Sequence, residues 1–275
     1  MYPPNGNFLP FQSSQIHYQI WGTGAKILFA FHGYGESASS FAFLGEALGP
    51  DQTLVAIDLP FHGQTDWKEG LSFFPEQLLT LMKTIAAGLP ASNPVWSLTG
   101  YSMGGRIALA LFETQPDRFE QLILLAPDGL KVNIWYWIAT RTTVGNYLFR
   151  WTMRWPGWLF LLLRASHGLR LVNPSIYKFA VHYIDDRKVR KDLYTRWTVM
   201  RSFRPRPDAI AAILRRNPVP ITLIYGRYDR IIRWESGERF RNRGIADTCR
   251  LILIDTGHQL LRPPYLPALL PFFSS

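Results

Sequence analysis

Cysteine is almost absent from this 275-residue chain. Cys249 stands alone, so no internal disulfide can form, and a small secreted scaffold held by cross-links is excluded. That usage points to a reducing interior, the cytoplasm. Long apolar runs are missing as well: the longest strongly apolar one, Trp158–Leu163, has six residues, against the roughly 20 needed to cross a bilayer. The opening stretch MYPPNGNFLPFQSS has neither a charged segment nor a continuous apolar core, so a secretory leader is not expected. There is no internal repeat, no low-complexity tract, no metal-ligand cluster and no phosphate-cradling glycine loop, so neither metal nor cofactor is expected.

What is present is apolar and aromatic. Hydrophobic residues make up 47% of the chain, with ten Trp, twelve Tyr and eighteen Phe, which excludes a disordered chain and supplies enough material for one large domain or a domain with an insertion. Charge is scarce, at 18%, and unevenly placed. Between Asp128 and Pro207 lie fifteen Lys and Arg against four Asp, a net +11, while the remainder holds fifteen basic and sixteen acidic residues, a net −1. Such a segment attracts anionic ligands or lipid, or simply faces water. No helix-turn-helix, zinc or RNA-binding signature accompanies it, so nucleic acid is not expected as a partner.

Outside that segment, short apolar runs alternate with helix-like stretches, the rhythm of βα units on a mainly parallel sheet. Strands are expected at Ile27–Phe31, Thr53–Ile57, Val95–Thr99, Gln121–Leu125, Ile221–Tyr225 and Arg250–Ile254, with an edge strand at Gln15–Trp21. Helices are expected at Pro75–Gly88, at Gly104–Thr114 and from Asp208 to Arg216. The predicted division is an α/β core of residues 1–127 and 208–275, interrupted by a mostly helical lid at 128–207. In open α/β sheets, ligands gather at the carboxyl ends of strands, so those ends are where chemistry is sought.

Gly100-Tyr101-Ser102-Met103-Gly104-Gly105 lies directly between a strand and a helix. A turn that sharp strains the serine backbone and leaves no room for side chains two residues away, which is the geometry of a nucleophile elbow. Serine needs a base, and the base an orienting acid, in the chain order Ser, Asp, His for this elbow. Asp229 in GRYD and His258 in DTGH each follow a strand, on the same sheet edge as Ser102. Asp128 and Asp255 are weaker candidates for the acid. A lone aspartate after a strand is usually a turn former; order and strand context together favour Asp229.

A tetrahedral intermediate needs two donors aimed at its oxyanion. Those expected are the main-chain N–H groups of Tyr34, in FHGYG after the first central strand, and of Met103. Since main-chain atoms form the hole, nearby side chains are free to shape a pocket, and Tyr101 and His32 are candidates to meet substrate. For His32, holding its turn is the stronger expectation. The turn DLPFHG reads as loop geometry, and His17, His167 and His182 as packing or surface residues.

Taken together, FHGYG, DLPFHGQT, GYSMGG, GRYD and the final GH resemble the α/β-hydrolase superfamily across residues 15–127 and 208–275, with the insertion where such folds carry a lid that selects substrate. The resemblance implies a cofactor-free serine hydrolase acting on an ester or related acyl bond of a small or lipid-like molecule. Esterases, lipases, thioesterases, carbon–carbon bond hydrolases, some lyases and non-catalytic binding proteins can share these parts. Serine at the elbow argues against the epoxide hydrolase and haloalkane dehalogenase branches, which use aspartate. GYSMGGR is also similar to the menaquinone-pathway synthase that eliminates pyruvate, which implies a substrate carboxylate on Arg106. The aromatic, basic lid adds a possible peripheral contact with anionic membrane. Four prolines, Pro263, Pro264, Pro267 and Pro271, interrupt the expected terminal helix.

Overall fold

The computed structural model describes residues 6–90, 94–131, 133–168 and 184–273. It divides into two compact units, residues 1–131 with 202–275, and residues 132–201. The first unit is built on an eight-stranded sheet: β1 (Asn7–Phe11), β2 (Ser14–Trp21), β3 (Lys26–Phe31), β4 (Gln52–Ile57), β5 (Trp96–Tyr101), β6 (Phe119–Leu125), β7 (Ile221–Gly226) and β8 (Cys249–Ile254). The spatial order is β1-β2-β4-β3-β5-β6-β7-β8. The β1–β2 and β2–β4 pairs are antiparallel and all others parallel.

The central strands KILFAF, QTLVAI and ITLIYG are buried nearly end to end, as expected where helices cover both faces of a parallel sheet. Helices in this unit are α1 (Ala42–Gly45), α2 (Pro75–Ala87), α3 (Met103–Thr114), α8 (Pro207–Arg216), α9 (Glu235–Arg241) and α10 (Leu266–Leu269). Proline at the first position opens α2 and α8, where its missing N–H costs nothing. Ten residues of α3, Met103–Phe112, are buried, and the helix packs on β3, β5 and β6 and against α2 and α8. Each large aliphatic side chain buried there contributes roughly 1.5–3 kcal/mol. The terminal prolines have the expected effect: 3₁₀ turns at Pro263–Tyr265 and Leu270–Phe272 flank the single turn of α10.

The second unit contains α4 (Ile134–Arg141), α5 (Thr143–Arg154), α6 (Gly157–Gly168) and α7 (Arg187–Val199). Three of them start on polar side chains that accept main-chain N–H bonds: Asn133 from Tyr136, Thr142 from Gly145 and Asp186 from Val189. No helix among the described residues is long and apolar enough to cross a membrane. The expectation for His182 lies outside the described residues, as does that for the side chain of His167.

Behind the sheet edge, Asp58 ties three segments together. Its carboxylate accepts from Ala38 N–H at 2.6 Å, Gln64 N–H at 2.8 Å and His17 Nδ1 at 2.7 Å, with Asp58, His17 and Ala38 buried from water. The turn DLPFHG is therefore more than a loop path: its aspartate is a buried anchor, and His17 is its partner on β2. Cys249 is also buried, and desolvation pushes its thiol up to about 12, which disfavours the thiolate. Replacing Asp58 with Ala strands two N–H groups and an imidazole, so Asp58→Ala is expected to cost about 3–5 kcal/mol in urea unfolding. A loss below about 1 kcal/mol would show that water replaces the carboxylate without penalty.

Candidate active site

The parallel strands β3, β5, β6, β7 and β8 end in near alignment, with Phe31 opposite Gly100, Tyr101 opposite Leu125 and Gly226 opposite Ile254. Their following loops therefore deliver side chains to one edge. Ser102 comes directly after β5 and caps α3 with φ 53° and ψ −112°. That conformation costs about 1–3 kcal/mol and persists because its surroundings leave no alternative. A Cβ on Gly104 would collide with the Phe31 carbonyl, and one on Gly100 with the Gly104 carbonyl. Main-chain bonds hold the turn on both sides: Ser102 N–H donates to Leu125 O at 2.9 Å, and Asp128 N–H donates to Ser102 O at 2.9 Å.

The loops after β7 and β8 bring Asp229 and His258 to this serine. His258 Nε2 lies 3.2 Å from Ser102 Oγ, and His258 Nδ1 lies 2.7 Å from Asp229 Oδ2. The other carboxylate oxygen of Asp229 accepts from Ile231 N–H at 2.7 Å and Ile232 N–H at 3.0 Å. Burial opposes ionisation of Asp229 and is the largest single influence. The hydrogen bonds from His258, Ile232 and Ile231 together outweigh it and hold the carboxyl below its ordinary range. An ionised Asp229 fixes the Nδ1–H tautomer of His258 and turns the Nε2 lone pair toward Ser102 Oγ.

The other candidates have different surroundings. Asp128 pairs with Arg106, Oδ2 to Nη1 at 3.3 Å, and accepts from Gly129 N–H at 2.8 Å. Arg106 is a buried guanidinium on α3 with 8% of its side chain exposed, facing the Asp128 carboxylate. Asp255 lies at the surface in a 2.6 Å pair with Arg227. His32 is fully buried; its Nε2 accepts from Leu59 N–H at 3.2 Å, which leaves Nδ1–H to donate to Gly33 O at 2.8 Å. With both nitrogens engaged by main chain, His32 holds the turn. Tyr101 is buried too, and its hydroxyl donates to His258 O at 2.9 Å with the rings 5.3 Å apart. Desolvation, then the charges of Glu36 and Asp229, hold its phenol protonated, well above the ordinary range. Tyr101 therefore acts as a brace for the His258 loop.

Met103 is the first residue of α3, so its N–H has no acceptor within the helix. Tyr34 follows β3 on the same edge, partly exposed, with its ring edge-on to His62 at 6.2 Å.

Glu36 was not legible in the sequence. It accepts from Gly33 N–H at 3.3 Å and lies 3.6 Å from Arg262 Nη2. Desolvation raises its carboxyl above the usual value, although Gly33 N–H, Arg262 and His258 pull the other way. A second carboxylate thus stands beside the loop that carries Tyr34, within the electrostatic reach of His258.

The profile of the family described as serine aminopeptidase, S33, matches residues 23–264. The chain belongs to this family of α/β-hydrolases. The α/β-hydrolase is 28% identical over 245 residues to the hydrolase YugF of Bacillus subtilis, covering 88% of this chain and 86% of that one. It is 32% identical over 124 residues to a B. subtilis protein named as a 2-succinyl-6-hydroxy-2,4-cyclohexadiene-1-carboxylate synthase, covering 43% of this chain and 44% of the relative. Among solved structures, the thioesterase domain from the curacin biosynthetic pathway matches 98% of both chains with a TM-score of 0.64 at 20% identity, a likeness of fold.

The two carboxylates titrate in opposite senses. Asp229, held low, contributes stability above the unfolded carboxyl value of about 4 that is lost as pH falls through its folded value. Asp229→Asn is therefore expected to lower the melting temperature at pH 7, with the difference shrinking below about pH 4. Glu36, held high, destabilises the fold once ionised, so Glu36→Gln is expected to raise the melting temperature at pH 8 and to lose that advantage below pH 4. Parallel melting curves across pH would contradict both assignments.

Proposed function

We propose that this α/β-hydrolase is a cofactor-free serine hydrolase that cleaves a carboxylic ester or related acyl bond through an acyl-enzyme. The observation that carries the reading is the run of contacts from Asp229 through His258 to Ser102 at a strained elbow, 2.7 Å and then 3.2 Å. Ser102 Oγ attacks the acyl carbon as its proton passes to His258 Nε2, and Asp229 stabilises the imidazolium that forms. The Met103 and Tyr34 N–H groups receive the oxyanion. Collapse of the tetrahedral intermediate expels the leaving group, which takes the proton from His258, and leaves Ser102 acylated. Water, deprotonated by His258, then reverses the sequence and frees the acid.

The substrate class is small or lipid-like, acted on in the cytoplasm, where a single buried thiol is at home. The Arg106–Asp128 pair weighs against the synthase reading, which needs that guanidinium free for a substrate carboxylate. Freeing it would leave Asp128 uncompensated.

Initial rates on p-nitrophenyl esters of increasing acyl length, for the wild type beside Ser102→Ala, test the proposal. The expected result is turnover in the wild type and a loss of at least about 10³-fold in the variant, with Asp229→Asn losing about 10³–10⁴-fold in kcat. Turnover surviving in Ser102→Ala would refute it, and so would a folded wild type inert toward every ester.

A further inference from the structure

The helices α5 and α6 carry apolar side chains on the side that meets water. Helical spacing at about 100° per residue puts Val144, Tyr147, Leu148 and Trp151 on one stripe of α5, and Trp155 follows at its C-terminal cap. All five are exposed, Val144 at 79% and Tyr147 at 71%. On α6 the same spacing aligns Trp158, Leu161 and Leu162, with Leu161 at 73% exposure. The indoles of Trp151 and Trp158 stack at 6.1 Å, which joins the two stripes into one surface.

This outward side is separate from the side that holds the unit together. Phe149 of α5 packs on Tyr194 and Trp197 of α7 at 5.5 and 5.8 Å. Asn146 bonds Thr198 Oγ1 and Ala139 O, and Met153 O accepts from Arg190. The interior of the bundle is thus closed by one face of α5 while the apolar stripe lies on the other. Monomeric proteins rarely leave a large contiguous apolar surface in water without a partner for it.

The charge beside the stripe identifies that partner. Arg150 and Arg154 fall along one edge of the α5 stripe, Arg164 takes the same flank on α6, and all three are exposed. The Arg154 guanidinium sits 6.0 Å from the Trp155 ring. From Gly129 through Ile184 the sequence has no Asp or Glu. Trp and Tyr interleaved with Arg on helices too short to span is the pattern of a surface that rests in the headgroup region of an anionic bilayer. A second copy docking through the same face would bring its arginines against their own kind.

We propose that the α5–α6 surface is a docking face for anionic lipid bilayers, which would bring the enzyme to lipid-like acyl substrate. The proposal concerns binding alone and holds whether or not the reaction assigned to Ser102 is correct. The test is flotation of the purified full chain with phosphatidylcholine vesicles, alone or with about a third phosphatidylglycerol.

Co-flotation with the anionic vesicles is expected, falling at least about tenfold near 1 M salt, where the Debye length shrinks to about 3 Å. The double variant Trp151→Glu, Leu161→Glu changes two exposed positions, and Arg150→Gln with Arg154→Gln removes only charge. Each pair should lower vesicle binding at least about tenfold while circular dichroism matches the wild type. Protein remaining in the dense fraction with both vesicle types would overturn the proposal, as would equal, salt-independent binding to the uncharged vesicles. A dimer in light scattering that the Trp151→Glu, Leu161→Glu pair dissociates would overturn it in favour of a second copy.

Discussion

The site depends on a backbone conformation that only glycine neighbours permit. Ser102 holds φ 53° because α3 must start immediately after β5 and lie against β3, an approach so close that Gly104 meets the Phe31 carbonyl. From that single turn follow the exposure of Oγ at the end of the sheet and the free N–H of Met103 at the start of a helix. The two main-chain bonds that splice the elbow to β6 and its loop follow as well. Strain of about 1–3 kcal/mol is sustained by the burial of α3, whose apolar side chains would all be disturbed if the turn relaxed.

Around this turn, two further layers of support are polar. The His258 loop is braced by the Tyr101 hydroxyl, and Asp229 is fixed by two main-chain N–H groups besides its imidazole. Farther back, His32 links the loops after β3 and β4, and Asp58 links the latter to β2 and to Ala38. Buried groups that are fully bonded in this way rigidify a site, whereas any one left unpaired would cost more than it contributes. Beside the elbow, the arginine after the two glycines pairs with Asp128.

Much of this was readable from the chain because fully buried parallel strands and a glycine-framed serine write themselves as local patterns. The edges were not. Strand β1, NFLPF, carries Pro10 in an edge strand with only alternate residues sheltered, a pattern easily taken for a loop. Helix α9, ESGERFR, has Phe240 as its one large apolar residue, so it shows no periodic stripe. Long-range polar partners leave no local trace at all. Glu36 finds Arg262, His17 finds Asp58 and Tyr101 finds His258 only once the sheet order has brought those segments together. For the same reason the main-chain partners of His32 and the pairing of Arg106 with Asp128 leave no local signal in the sequence.

The central claim is that Ser102 is a nucleophile activated through His258. Its most direct measurement is intact-protein and peptide mass spectrometry after treatment with a fluorophosphonate, on the wild type and on His258→Ala. One phosphonyl adduct per chain is expected, on the peptide that contains Ser102, formed rapidly in the wild type and slowed by at least about 10³-fold in the variant. An adduct on another residue, or equal labelling rates in the two proteins, would contradict it.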